Sequence, residues 1–164
     1  MVRLKERLLK VASALEIQAE DFDSVSIYEW PSIMKKIESR FIVKKNSNIK
    51  FNWWRENFKE PHSSRWFLKD DAMNHLHRLI PEEEKVWFVG CDTRNDATKF
   101  WLFEGRILSI QRLLTHMYGF EYYLVSKKYE WLLFDNRHST LIALGAMMEI
   151  LLALSIENTI DNIK

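Results

Sequence analysis

The sequence predicts an α+β domain: an antiparallel sheet of about five strands, helices on one face, and a largely helical N-terminal half. Three observations lead there. Apolar residues recur at helical spacing early in the chain, whereas short β-branched and aromatic runs with tight connections crowd its second half. The 164 residues are 47% hydrophobic with only four glycines and three prolines, which suits one folding unit, 1–164, without linkers. No internal repeat is present, and the regular alternation of strand and helix found in α/β nucleotide-binding folds is missing, as is a glycine-rich phosphate loop.

Each element follows from its local pattern. Leu4, Leu8, Val11, Ala12 and Leu15 line one face of a helix within Val2 to Gln18. Trp30-Pro31-Ser32 marks the start of a second, running over Ser32 to Phe41, because proline suits a first helical turn. Ile49 to Phe67 follows no clean period. Asp70 or Asp71 is placed to cap a short third helix that ends near Ile80, with Pro81 at its exit. Lys85 to Gly90 and Lys99 to Phe103 predict an antiparallel pair around the turn Asp92 to Asp96. Gly105 to Tyr118 carries Ile107, Ile110, Leu114 and Met117 at helical spacing, with Gly119 where a C-terminal cap belongs. Phe120 to Val125, Tyr129 to Phe134 and Thr140 to Leu144 have connections too short for parallel crossovers, so they predict three antiparallel neighbours. The apolar run Ala146 to Ile156 predicts a closing helix.

Composition narrows the function classes. A single cysteine, Cys91, excludes an intramolecular disulfide and any multi-thiolate metal site, and it points to a reducing compartment. The charged N-terminal stretch lacks the apolar core of a secretory signal, so a cytoplasmic location is expected. Leu141 to Ile156 is interrupted by Gly145 and Glu149 and falls short of the roughly 20 residues that span a bilayer, so no membrane partner is expected.

The candidate chemistry is sparse. Asp135-Asn136-Arg137-His138 forms a dense polar turn after the strand that carries Trp131. Such a group reads as a binding loop, or as an ordinary turn in which Asp and Asn bond to the backbone. One histidine with one acid makes neither a metal site nor a triad. His75 and His77 are two apart and point to different helix faces, and Cys91 sits beside Asp92 rather than beside a cation. The loop group Asp92, Arg94, Asn95 and Asp96 lacks the spacing of a calcium loop. No cofactor and no metal are expected, and the chain is read as a non-enzyme.

Charge distribution says more. Between Lys35 and Lys69 ten basic residues stand against three acids, a local excess of seven in a chain whose net charge is +1. Interleaved with Trp53, Trp54, Phe58, Trp66 and Phe67, that segment is suited to a single-stranded nucleic acid or to an acidic protein surface. The balanced alternative is a solvated face neutralised by acids elsewhere.

The stretch Gly119 to Gly145, with Glu121-Tyr-Tyr, Val125, Lys127-Lys128, Trp131-Leu132 and the acid-Asn-x-His turn at Asp135 to His138, resembles the C-terminal signature of small uncharacterised bacterial proteins. These are similar to the immunity proteins of toxin systems. Arg137 stands where that signature has a first histidine. The resemblance spans about one-sixth of the chain and implies a protein-binding role in a bacterial cytoplasm; it carries over no catalytic residue. The expectation is an interaction module whose binding residues come from Trp53, Trp54, Arg55, Arg94, Trp131 and Asp135 to His138. Nucleic-acid binding through 35–69 is the alternative, and an enzyme built on Asp135, Asn136 and His138 with Tyr122 or Glu130 ranks last.

Overall fold

The strands that read as unbroken apolar runs are apolar on both sides because both faces of the sheet are covered. In the computed structural model, which describes residues 2–43, 51–69, 71–92, 96–138, 140–155 and 159–160, the chain is α+β. The strands are β1 (Phe22–Ser24), β2 (His62–Phe67), β3 (Lys85–Asp92), β4 (Asp96–Arg106), β5 (Glu121–Ser126), β6 (Trp131–Asp135), β7 (Thr140–Gly145) and β8 (Thr159–Ile160). They form one sheet in the order β1-β4-β3-β5-β6-β7-β2-β8, and every neighbouring pair is antiparallel. The helices are α1 (Leu4–Ala14), α2 (Trp30–Phe41), α3 (Leu76–Leu79), α4 (Ile107–Leu114) and α5 (Met147–Ala153).

Side-chain alternation assigns the two faces. Phe88, Phe103, Tyr122, Leu124, Leu133 and Ala143 point to one side, where α1, α3, α4 and α5 bury Leu8, Leu76, Ile110 and Leu151 against them. Val89, Leu102, Tyr123, Val125, Leu132 and Phe134 point to the other, against Ile33, Met34, Ile37 and Phe41 of α2. Four buried positions on α2 at helical spacing are what docks it there.

Three details correct the sequence reading while the class stands. Among the described residues the sheet has eight strands rather than about five, because β1 and β8 are only three and two residues long and β2 reads His-Ser-Ser-Arg-Trp-Phe, whose polar residues hide the period. The helices are not confined to one face, since α2 lies opposite the other four. The fourth helix starts at Ile107 because Gly105 is still in β4, where a Cβ would lie 2.8 Å from the Phe22 ring and 2.9 Å from the Asp21 carbonyl. Among the described residues no helix is long and apolar enough to cross a membrane.

Candidate functional site

The polar turn after β6 is held together from within. Asp135, only 2% exposed, accepts a 2.7 Å hydrogen bond from the Tyr122 hydroxyl on β5, its cross-strand neighbour. Its other oxygen accepts from the Arg137 backbone N–H at 2.6 Å. Asn136 takes the next step: its side-chain oxygen accepts from His138 N–H at 2.8 Å and Thr140 N–H at 3.3 Å, the bonding by which Asn stabilises a turn. Arg137 adopts φ 61°, and its guanidinium turns back to donate to the Met117 carbonyl at 2.6 Å, beyond the last residue of α4. It also reaches the Leu114 carbonyl at 3.5 Å, one that has no partner within α4 itself, and a cation there complements the helix dipole. The same guanidinium lies 5.5 Å from the centre of the Phe120 ring. Only the His138 side chain faces solvent.

This geometry bears on chemistry. Burial, reinforced by the neighbouring Asp135 carboxylate, pushes the Tyr122 hydroxyl well above its ordinary range, so it stays protonated and acts as a donor. Asp135, Asn136 and Arg137 are thus engaged in structure, as the ordinary-turn reading has it. His138 is exposed, while its near acid is turned inward to Tyr122.

The other nominated residues scatter. Trp54 is 1% exposed, so it is core rather than contact surface. It stands edge-on to Phe100 and Tyr123, and its indole N–H donates to Glu38 at 3.2 Å. A 3₁₀ turn over Phe51–Glu56 turns Trp54 inward and leaves Arg55 outside, paired with Glu121 at 2.5 Å. Trp131 is likewise buried, on the opposite face of the sheet. The Trp53 side chain and the whole of Arg94 lie outside the described residues. His75 stacks on Phe67 and approaches Asp71, whereas His77 bonds to Gln111, so the two histidines share no ligand. Cys91 is buried in β3. Among the described residues no group of three or more His, Cys, Asp or Glu is placed to hold a metal ion.

The basic segment divides in the same way. Arg65 is buried and bonded to the Leu151 and Leu154 carbonyls, and Lys59 donates to the Ser39 carbonyl near the end of α2. Lys35, Lys36 and Arg40 remain on the outer stripe of α2 and, with Ser32, Ser39 and Tyr129, line an open cleft of about 490 Å³. Tyr129 comes from the turn between β5 and β6, where its backbone has φ 56°, and the Lys36 ammonium lies 5.8 Å from its ring centre. Partial burial raises the Tyr129 hydroxyl above its usual range, a shift opposed by contact with Trp87. Sequence reasoning missed Tyr129 because it assigned that residue to a strand. A turn residue 89 positions beyond Arg40 carries no local signal that it meets the second helix.

A family model matches residues 1–154, nearly the whole chain. The protein belongs to DUF6756, a family of unknown function. No curated protein and no solved structure matches it. An uncharacterised family is what the C-terminal resemblance implied, but the DUF6756 match carries no link to immunity proteins. It spans α1 through α5, so the turn at Asp135 and the α2 cleft both lie in the matched region.

Proposed function

We propose that this protein is a bacterial, cytoplasmic, non-enzymatic interaction module of the immunity or inhibitor type, which binds another protein and needs no cofactor. The observation that carries the reading is the α2 cleft. A rigid helix, docked on the sheet through Ile33, Met34, Ile37 and Phe41, presents three cations and a backbone-constrained tyrosine. Tyr and Arg are the residue types that supply interface hot spots, and a preformed surface lowers the entropic cost of binding. The turn at Asp135 to His138 serves this module as bracing, since Tyr122, Asp135 and Arg137 tie β5, β6 and the end of α4 together.

The second reading, a single-stranded nucleic-acid binder, is favoured by the same three cations. It is weakened by the aromatics, because Trp54, Phe58 and Phe67 are buried and so cannot stack on bases. Affinity capture of the tagged protein from its native lysate, washed at low and then high salt, separates the two. A stoichiometric protein captured at low salt supports the module, whichever wash releases it. Nucleic acid shed between the washes, as counterion release requires, would replace that reading with the second.

A further inference from the structure

We infer that the occupant of the α2 cleft is a carboxylate-rich segment of a protein partner, laid along the helix with one apolar residue against Tyr129. This rests on the interaction-module reading and names what that module recognises. The first ground is charge without compensation. Lys35, Lys36 and Arg40 line the cleft, no acid lines it among the described residues, and Lys59 adds a fourth cation where it bonds to the Ser39 carbonyl. The two acids nearest in sequence lie elsewhere. Glu38 accepts from the Trp54 indole on the side of α2 that faces the core, and Glu130, although next to Tyr129 in sequence, is not among the residues that line the cleft.

The second ground is spacing. Lys36 and Arg40 are four apart on one helix, about 6 Å along its axis, with Ser32 one step earlier in the same row. Carboxylates four apart on a partner helix, or two apart on an extended strand, repeat at about the same distance. From Ser32 to Arg40 the row runs about 12 Å, which two helical turns or four extended residues cover. The third ground is the aromatic. Tyr129 is the one ring in the lining, and Lys36 already stands near it, so the cleft offers an anchor for a single apolar side chain rather than a series of stacking platforms.

The test is fluorescence anisotropy of the full chain against two labelled probes. One is an acidic peptide of about a dozen residues, rich in Glu with a central Phe; the other is a single-stranded oligonucleotide of matched charge. The variant carries Lys35→Glu, Lys36→Glu and Arg40→Glu, all at exposed positions that leave the core untouched. Saturable binding of the peptide is expected, weakened by about tenfold or more in the variant and by added salt, while the melting temperature shifts by only about 2 °C or less. Equal binding by the variant, no binding of the peptide, or tighter binding of the oligonucleotide overturns the inference. If a lysate partner is retained by the triple variant, the module reading stands and the cleft assignment falls. Peptide binding without any captured protein shows that the cleft takes carboxylates but removes the protein partner, and with it both the module reading and this inference.

Discussion

Replacing Tyr122 with phenylalanine removes one oxygen from a site where little water reaches. The ring stays stacked on Phe88 at 5.5 Å, so the core keeps its shape and the lost bond to Asp135 is the main change. A hydrogen bond to a charged acceptor contributes about 1.5–3 kcal/mol. Asp135 keeps the Arg137 N–H at 2.6 Å, which places the expected loss toward the lower end of that range, near 1.5–2 kcal/mol. For a chain of this size that is a fall of roughly 3–8 °C in melting temperature. Urea unfolding with an unchanged slope would isolate stability from any change in the unfolded state. A double-mutant cycle with Asp135→Asn would then assign the coupling to this pair. His138→Ala, at the exposed end of the same turn, should stay within about 0.5 kcal/mol of wild type. If Tyr122→Phe also costs under about 0.5 kcal/mol, the turn is not braced as described and its polar groups are open to another role.

Other substitutions probe the rest of the fold. Trp54→Ala should destabilise by about 3–5 kcal/mol in urea titration, the cost of emptying a buried aromatic site, and a surface-like effect would return Trp54 to the list of contact residues. Gly145→Ala should cost more than about 2 kcal/mol: φ is +64°, and the new Cβ would sit 2.2 Å from the Glu130 carbonyl oxygen. Glu84→Gln tests a titration, because burial and then the nearby Glu130 raise the Glu84 carboxyl above its usual range. A raised value means that Glu84 favours the folded state below its ordinary pKa and disfavours it as pH climbs through the raised one. The variant should therefore melt slightly higher than wild type at neutral pH, by under about 1 kcal/mol at so exposed a site, with the gain gone below about pH 4.

What the sequence disclosed follows burial. Residues 85–90, 99–103 and 120–125 were legible as strands because both faces of the central sheet are covered, so apart from Lys85, Lys99 and Glu121 their runs are apolar and aromatic. The second helix was legible through its Trp30-Pro31-Ser32 start, while its cations were read only as part of the basic run 35–69 and not as the stripe that became half of the cleft. By contrast, β2 reads His-Ser-Ser-Arg-Trp-Phe, and its buried arginine satisfies carbonyls of residues 86 and 89 positions away, a pairing that no local pattern announces. Arg137 is similar: its partner at Met117 is set by how α4 ends, not by the turn that holds the arginine.

The excess of seven positive charges over 35–69 illustrates why a linear count is a poor map of a surface. A 3₁₀ turn rotates successive residues by about a third of a circle, so Trp54 and Arg55 part company, one into the core and the other to Glu121. An extended strand alternates, which sends Arg65 inward while Ser64 stays exposed. Among the described cations of 35–69, Lys36 and Arg40 share a row on α2 because they are four apart, and Lys35 borders the same cleft. Among the described residues, the run that the sequence presents as one basic segment is thus divided among a helix face, an ion pair and a buried strand position, while Lys44, Lys45 and Lys50 lie outside the described residues. A ligand recognising the whole segment would have to contact a buried guanidinium and a paired one. One that recognises α2 meets cations already facing the same way.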